Sequence, residues 1–234
     1  MKVGIIQSNF LPWRGYFDFI RGVDLFILHD DLQYTKGDWR NRNKIKTPSG
    51  AQWITVPVHY HHTDQLIEET KIDDSKPWAR SMLNKIRNSY QKAPHFGPYF
   101  SELSDLLLEP AVSISDLNLR LINWVCFHLE IDTPITYSHE YHPQGAKTER
   151  LIGILEQVGA TTYLSGPAAK VYLEPDLFEQ AGIRLEYKVY DYPEYEQLYP
   201  PFDPAVSVID LLFMVGKNAK TYLDLKNPIN KAII

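Results

Sequence analysis

Residues 3–31, VGIIQSNFLPWRGYFDFIRGVDLFILHDD, contain the pattern that decides the fold of this chain. Two short apolar runs, at residues 3–6 and 24–29, each lead into polar residues and are typical of buried strands. The segment between them turns around Gly15 and then shows the apolar spacing of one helix face. Strand, helix and strand in this order predict two parallel strands, because a parallel connection needs a helical crossover.

The rest of the chain continues to alternate between helices and short apolar strands. Apolar positions that repeat every three or four residues predict helices at 77–91, 114–129, 147–158 and 207–215. Strands are expected at 53–58, 162–164 and 183–189, and the strand at 162–164 should join the first two in one parallel sheet. The predicted fold class is α/β, a three-layer, Rossmann-like arrangement around a parallel sheet. A single α/β domain should span residues 1–234, with residues 75–130 as a helical insertion or subdomain.

Composition favours an ordinary globular protein, with 44% apolar and 23% charged residues. The apolar run near the N-terminus is too short for a signal peptide, and no later stretch approaches about 18 uninterrupted apolar residues. The one cysteine, Cys126, cannot form an internal disulfide and fits an apolar helix core in a reducing compartment. We therefore expect a cytoplasmic protein that does not bind a membrane. The sequence names no cofactor and no oligomeric state.

A basic strip at residues 36–46 carries +4, whereas the whole chain carries −5. A local basic strip on an acidic protein predicts an anion site better than it predicts bulk nucleic-acid binding. In an extended backbone the cations face one side and the residues between them face the other. The cations are Arg40, Arg42, Lys44 and Lys46, and the residues between them are Asn41, Asn43 and Ile45. The alternative is a solvated edge strand, but Trp39 and the two Asn residues favour a groove for an anionic small molecule, possibly one containing a nucleotide or phosphate.

Polar residues also follow three predicted strands, at the edge where open parallel sheets bind ligands. The first strand leads into Gln7, Ser8 and Asn9, the second into His29, Asp30 and Asp31, and the third into Ser165 and Gly166. In each case the alternative is a plain turn or cap. If these residues bind a ligand, Asp30 or Asp31 could act as a general base with a pKa raised by burial, or hold Mg²⁺ through substrate phosphates. We expect Ser8, Tyr16, Asp30 and Ser165 to surround one cleft.

Two weaker patterns have simple structural explanations. His59 and His61 have strand spacing and His62 is adjacent, but no third zinc ligand is fixed, so we predict no metal site. Ser207 and Asp210 fit a capping box at a helix start better than they fit a catalytic pair.

Several motifs, in this order along the chain, resemble the WbqC-like protein family. They are QSNFLPWRGYFD at 7–18, DDLQY at 30–34, WRNRNKIK at 39–46, YLSG at 163–166 and FDPAVSVIDLL at 202–212. The resemblance covers nearly the whole chain. It implies a bacterial protein whose relatives lie among genes for O-antigen and other surface-glycan synthesis, and it implies little about the reaction.

Candidate site residues come from these same motifs. The candidate catalytic residues are Asp30, Asp31 and Tyr16. The candidate substrate-binding residues are Gln7, Ser8, Asn9, Trp13, Gly15, Gln33, Tyr34, Trp39, Arg40, Asn41, Arg42, Asn43, Lys44, Ser165 and Gly166.

A more distant similarity links the first turn to nucleotidylyltransferases of the HIGH type. Residues 13–16, WRGY, occupy the place of the His-x-Gly-His turn in those enzymes, and Ser165-Gly166 falls where they carry a late phosphate loop. Both histidines are replaced here, by Trp13 and Tyr16, so the similarity implies a related layout without implying nucleotidyl transfer.

Three functions are compatible with these observations. The first is a transferase that moves an acyl, aminoacyl or related group onto a sugar nucleotide or small metabolite in surface-glycan or secondary-metabolite synthesis. The alternative is a non-catalytic ligand-binding or scaffold protein of a glycan pathway. A second alternative is a protein that uses aminoacyl-tRNA, for which tRNA would be the partner at the basic strip.

Overall fold

Seven strands and seven α-helices occur in residues 1–225, the part of the chain that the computed structural model describes. The strands are β1 Lys2–Ile6, β2 Leu25–Leu28, β3 Arg42–Thr47, β4 Gly50–Thr55, β5 Ile135–Tyr137, β6 Thr162–Ser165 and β7 Arg184–Tyr187. The α-helices are α1 Arg14–Arg21, α2 Trp78–Tyr90, α3 Phe96–Leu108, α4 Ile114–His128, α5 Lys147–Gln157, α6 Pro175–Gln180 and α7 Val208–Val215. Short 3-10 helices cover Ser138–Tyr141, Pro167–Val171 and Gly216–Leu223.

Five strands form one parallel sheet in the order β5-β2-β1-β6-β7. The predicted neighbours are confirmed, because Val3 of β1 pairs with Leu25 of β2 on one side and with Tyr163 of β6 on the other. The chain builds the sheet outward from β1 in one direction, through β2 to β5, and then returns to add β6 and β7 on the opposite side. The order therefore reverses between β1 and β6. Strand β5 has only three residues and was not predicted.

Helices cover both faces of this sheet, as expected for an α/β fold. Alternate residues of β2 point to different layers: Phe26 and Leu28 pack with α1, α4 and α7, whereas Ile27 packs with α5 and α6. In the same way Tyr163 of β6 faces α5 and α6 and Leu164 faces the other layer. This alternation follows from the period of two in a β-strand. No helix within residues 1–225 is long and apolar enough to cross a bilayer.

Helix α1 is buried from Arg14 to Ile20, so it does not have the single buried face that its apolar spacing suggested. It packs against the sheet and also contacts the 3-10 helix Gly216–Leu223. Its two buried charged side chains form hydrogen bonds inside this sandwich. Arg14 donates from Nη1 to the carbonyl of Pro193 at 2.8 Å, and Asp18 accepts from the hydroxyl of Tyr192 at 2.7 Å.

The basic strip forms part of a separate antiparallel hairpin, β3–β4. The alternation predicted for the strip holds from Arg42 to Ile45: Asn43 and Ile45 are buried, whereas Arg42 and Lys44 are half-buried on the other side, and Lys46 is buried as well. Arg40 and Asn41 precede the strand. The partner strand is Gly50–Thr55, so the β-rich run begins three residues earlier than the predicted 53–58.

Along the chain, helices α2, α3 and α4 come between the hairpin and β5. Their apolar residues belong to the same core as those of α1 and α7. The predicted division at residues 75–130 stays a prediction. Residues 226–234 of the predicted domain lie outside the described residues.

The capping-box interpretation of Asp210 is wrong. Ser207 does cap α7, since its hydroxyl accepts from the backbone N–H of Ile209 at 3.4 Å. The carboxylate of Asp210 turns inward instead, where it accepts hydrogen bonds from the hydroxyls of Tyr90 at 2.8 Å and Tyr195 at 2.7 Å. Buried hydrogen bonds of Asp210 therefore connect α7 to α2 and to the segment at residue 195.

Gly4 tests the packing of β1 against α1. A Cβ atom on Gly4 would overlap the ring of Phe19, so Gly4→Ala should destabilise the fold by about 1–3 kcal/mol, the usual cost of overpacking. Gly153 in α5 has no atom within 4 Å of the equivalent position, so Gly153→Ala is the matched control and should stabilise by about 0.5–1 kcal/mol through helix propensity. Urea unfolding of both variants measures the difference. Equal midpoint shifts would contradict the packing described for β1.

Candidate functional site

A cleft of about 330 Å³ lies just past the carboxyl end of β1. Its walls are Asn9, Pro12, Trp13, Trp39, Asn43, Pro204 and Ala205. Four of the predicted substrate-binding residues meet here: Asn9, Trp13, Trp39 and Asn43. Pro204 and Ala205 come from the far end of the chain, so three separate segments build the cleft.

The loop after β1 is held in place by the hairpin. Asn43 donates from Nδ2 to the carbonyls of Phe10 at 3.2 Å and Leu11 at 2.7 Å, and Phe10 donates its backbone N–H to the carbonyl of Trp39 at 2.9 Å. Leu11 has a φ of +41°, a left-handed conformation that is costly for a residue with a side chain. The Asn43 hydrogen bonds therefore fix a strained turn at the base of the cleft.

Trp13 covers Gly15, and a Cβ atom at Gly15 would overlap the indole ring. The indole also meets Tyr190 edge to face, with 5.0 Å between ring centres. Gly15 thus has a packing role that the sequence did not specify: its lack of a side chain lets Trp13 lie flat as a wall of the cleft.

Arg40 is buried and clamps the end of β1 to the segment before β3. Its Nη1 donates to the carbonyl of Ser8 at 3.1 Å and to Oδ1 of Asn9, and its Nη2 lies 3.4 Å from Asp38. With these contacts Arg40 positions the cleft wall, and its guanidinium is already occupied by protein acceptors.

Asp30 lies behind the cleft and is fully buried. One carboxylate oxygen accepts from the backbone N–H of Ser8 at 2.7 Å, and the other accepts from the hydroxyl of Ser115 at 2.5 Å. Burial raises the pKa of Asp30, while the hydrogen bonds from Ser115 and Ser8 oppose that rise. Both oxygens are engaged, so the geometry favours a positioning role over direct contact with a ligand; the predicted catalytic role stays a prediction.

Tyr16 is also buried, and its hydroxyl donates to the carbonyl of Gln7 at 3.1 Å. Burial raises the pKa of Tyr16 well above its usual value, so the phenol stays protonated. Tyr16 packs edge to face on Phe26, with 5.6 Å between ring centres. Its contacts are those of a core residue that supports the end of β1.

Two residues of α4 complete this network and were missed by the sequence analysis. Besides Ser115, Asn118 donates from Nδ2 to the hydroxyl of Ser8 and to the carbonyl of Arg40, both at 2.9 Å. Ser115 and Asn118 are polar residues three apart on the buried side of an apolar helix. That pattern was a usable signal, because buried polar side chains need hydrogen-bond partners.

A second polar cluster lies at the carboxyl ends of β2 and β5. Asp31 accepts from Arg150 Nη2 at 2.6 Å and from the Ser138 hydroxyl at 2.5 Å, and Arg150 Nε lies 3.3 Å from Nε2 of His29. Burial lowers the pKa of His29 to about 4, so the imidazole is neutral at pH 7 and Nε2 can accept from Arg150. Arg150 comes from α5, more than a hundred residues away, and had no signal in the sequence.

Ser165 does not join Ser8, so the shared cleft predicted for these two residues is wrong. The side chain of Ser165 lies beside the hydroxyl of Tyr163, on the face of the sheet that α5 and α6 cover. Ser8 faces α4 on the opposite side. The two residues follow neighbouring strands, but the alternation of side chains sends them to different layers.

The remaining predicted residues do not form the walls of the cleft. Tyr34 is buried, Asn41 donates from Nδ2 to the carbonyl of Val56 at 2.7 Å, and Gln33 donates to the carbonyl of Thr63. Their roles in binding, and that of Gly166, stay predictions. Within residues 1–225 no three His, Cys, Asp or Glu side chains come close enough to hold a metal ion.

His29 gives the second cluster a measurable pH dependence. Its folded pKa of about 4 lies below the unfolded value of about 6.5, so the unfolded chain takes up the proton first. Stability from this residue is complete above about pH 6.5 and falls by roughly 3 kcal/mol as the pH drops to about 4. His29→Gln, whose amide oxygen can accept from Arg150, should lose less stability over this interval in urea unfolding. The exposed control His61→Gln should follow the wild type, and a wild-type profile parallel to that of His29→Gln would contradict the assignment.

Comparisons with known proteins agree with the motifs that form the cleft. The WbqC-like protein family model matches residues 7–222. The uncharacterized protein Rv1507c of Mycobacterium tuberculosis (strain ATCC 25618 / H37Rv) is 47% identical over 225 residues, which cover 95% of this chain and 97% of the relative. No solved structure matches the chain. The chain therefore belongs to the WbqC-like protein family.

Proposed function

We propose that this protein is a cytoplasmic transferase that moves an acyl, aminoacyl or related group onto a sugar nucleotide or similar metabolite, in the synthesis of bacterial surface glycans or secondary metabolites. The observation that carries the proposal is the cleft past β1, in which Asn9, Trp13, Trp39 and Asn43 meet. Its volume of about 330 Å³ is within the range of small-molecule sites.

The position of the cleft supports this proposal. Numbered in chain order, the five sheet strands have the spatial order 3-2-1-4-5, which supports a Rossmann-like arrangement because it agrees with the first five positions of that fold's strand order. In such sheets ligands bind past the carboxyl ends of the strands, where the order reverses. Here that place is the end of β1, and the loop after β1 forms one wall of the cleft. The distant similarity to HIGH-type enzymes, which places residues 13–16 at the position of their His-x-Gly-His turn, supports the same location of the site by analogy.

The unused polar atoms of the cleft favour a ligand rich in acceptors. The Nδ2 of Asn9 and the indole N–H groups of Trp13 and Trp39 have no hydrogen-bond partner within residues 1–225. All three are donors. Two indoles can also pack against the apolar faces of a sugar ring. Sugar hydroxyls, phosphates and acyl carbonyls are the acceptor groups that such a site fits.

The chemistry left to the protein is mainly positioning. Transfer of an activated acyl group to an amine or hydroxyl is accelerated when the two reactants are held in contact and the developing oxyanion meets fixed N–H donors. The donors of Asn9 and Trp39 would serve the oxyanion. Asp30 would act indirectly, because it holds Ser8, whose carbonyl accepts from Arg40, and Arg40 in turn holds Asn9. Asp31 is the less buried of the two acids and is therefore the candidate for direct contact with a ligand.

A non-catalytic ligand-binding protein is the second candidate, and one observation favours it. The hydroxyl of Tyr16 and the carboxylates of Asp30 and Asp31 all have protein partners. A binder would use the same cleft and the same donors without turnover.

The experiment that decides between these functions combines turnover with binding. Purified protein is supplied with a panel of nucleotide sugars and activated acyl or aminoacyl donors, and product is followed by mass spectrometry. Asp30→Asn and Asp31→Asn are suitable variants because Ser115 and Ser138 can rotate to accept from the new amides. We expect turnover by the wild type. The variant whose replaced carboxylate is the general base should lose about 10²-fold or more in kcat. Binding with unchanged affinity and no product in all three proteins would assign a binder, and no binding by any of them would overturn both functions.

Asn9 tests the donors of the cleft. Asn9→Asp keeps the oxygen that accepts from Arg40 but replaces the free amide N–H groups with a second oxygen. Affinity for a nucleotide sugar should fall roughly tenfold to a hundredfold, the worth of one charge-assisted hydrogen bond. Asn84→Asp, an exposed change of the same charge on α2, is the control. Calorimetric titration measures both, and equal affinity in the two variants would remove Asn9 from the site.

A further inference from the structure

The outer side of the β3–β4 hairpin and the residue Trp39 before it carry two exposed indoles and two cations. This surface consists of Trp39, Arg42, Lys44 and Trp53, and we call it the tryptophan face. Lys44 and Trp53 are directly opposite in the strand register, and Trp39 precedes the hairpin. Asn43 and Ile45, which alternate with the cations, point to the buried side.

The two indoles are unusually accessible. Trp39 is 39% exposed and Trp53 is 37% exposed, and their ring centres are 5.2 Å apart. Large aromatic side chains are normally buried, because leaving an apolar surface in water forfeits a stabilisation of about 25 cal/mol per Å². Exposed neighbouring indoles are typical of surfaces that receive a ring from a ligand.

The cations of the tryptophan face have no acidic partner in the described part of the chain. The guanidinium carbon of Arg42 lies 4.1 Å from the centre of the Trp53 ring, and Nζ of Lys44 lies 5.2 Å from it. Within residues 1–225 neither side chain has a carboxylate within 4.0 Å; Nη2 of Arg42 donates to the carbonyl of Gly37, and its Nε is buried without a hydrogen-bond partner. Arg40, from the same strip, is paired with Asp38 and buried. Two cations are therefore held on an indole without being neutralised.

The tryptophan face is continuous with the cleft, because Trp39 belongs to both. A ring that stacks on an indole and an anion that pairs with Arg42 and Lys44 are the two parts of a nucleoside phosphate. The end of such a ligand beyond its phosphate would reach the cleft around Trp39. We propose that the tryptophan face binds the nucleoside phosphate portion of the ligand, with the base on the indoles and the phosphate on Arg42 and Lys44. This inference deepens the proposed function, and the orientation of the ligand toward the cleft depends on that function.

Two sources could supply this chemistry: a free nucleotide, as in a nucleotide sugar, or the end of a single-stranded RNA. The probes are UDP, its halves uridine and pyrophosphate, and a hexamer of uridylate, each titrated by quenching of tryptophan fluorescence and by calorimetry. UDP should bind at least tenfold more tightly than either half, because both parts of the tryptophan face then act together. An affinity for pyrophosphate equal to that for UDP would overturn the role of the indoles.

The variants are Trp53→Ala, Trp39→Ala and Arg42→Gln, each checked for an unchanged circular dichroism spectrum and melting curve. UDP affinity should fall at least tenfold in each. Trp53→Phe, which keeps a smaller ring, should recover part of the loss and covers the case in which Trp53→Ala does not fold. Phe127→Ala, which removes an aromatic residue that is 78% exposed on α4, and Lys92→Gln, an exposed cation, are matched controls and should bind UDP as the wild type does. Unchanged UDP affinity in Trp53→Phe and Trp39→Ala would overturn the proposal.

The hexamer identifies the source. Affinity for the hexamer well above that for UDP, falling steeply with salt, assigns the tryptophan face to an RNA strand and overturns a mononucleotide ligand. Equal or weaker affinity assigns it to a free nucleotide. Failure here is distinguishable from failure of the proposed transferase: turnover with the same KM for the nucleotide sugar in wild type and Trp39→Ala refutes the tryptophan face alone. Loss of UDP binding in the variants without any turnover in the wild type refutes the transferase alone.

Discussion

The candidate site depends on one buried carboxylate, that of Asp30. A buried carboxylate is strongly unfavourable unless donors replace the water that it loses. Here the donors are the backbone N–H of Ser8, after β1, and the hydroxyl of Ser115, in α4. Because neither can move without leaving a buried carboxyl oxygen of Asp30 unpaired, the end of β1 is fixed relative to both β2 and α4. Asn118 extends the constraint by donating to Ser8 and to the carbonyl of Arg40. The cleft wall at Asn9 is the outer end of this chain of hydrogen bonds.

The sheet was predictable from sequence because its signals are local. Each of the central strands is a short apolar run followed by polar residues, and a helix separates the first two, so the neighbours β1, β2 and β6 could be assigned. The partners of the polar residues were not predictable. Ser115 lies 85 residues from Asp30, and Arg150 lies 119 residues from Asp31, so no spacing rule connects them. The error at Ser165 has a different cause. Its place at a strand end was right, but the face of the sheet to which it points depends on the register, and a shift of one residue reverses that face.

The basic strip shows how one pattern can contain two structural roles. The alternating cations suggested a single anion-binding row, and the alternation is real from Arg42 to Ile45. Arg40 stands outside the strand, where the backbone turns its guanidinium under the loop after β1, and it donates to Ser8 and Asn9. Lys46 is also buried, and donates to the carbonyl of Pro201. Only Arg42 and Lys44 remain on the outer side with Trp53. The strand boundary, which sequence patterns locate poorly, therefore explains why Arg40 supports the structure, whereas Lys46 lies inside β3 and is buried by its contact with Pro201.

The arrangement separates the groups that hold the site from the groups that can meet a ligand. Behind the cleft, Asp30, Ser115 and Asn118 are buried and use their hydrogen bonds on one another and on the backbone. In front of it, Asn9, Trp13 and Trp39 keep donors that have no partner among residues 1–225. A site whose outer residues are positioned by a buried hydrogen-bond network keeps its geometry without a ligand, so less of the binding free energy is lost to ordering side chains. Preorganisation of this kind serves a transferase and a binding protein equally. What distinguishes them is whether an acid or base contacts the ligand. Asp31 is less buried than Asp30 and lies next to a neutral His29. Of the two acids it is therefore the one that can act on a ligand, and the turnover measurement, rather than the fold, decides whether it does.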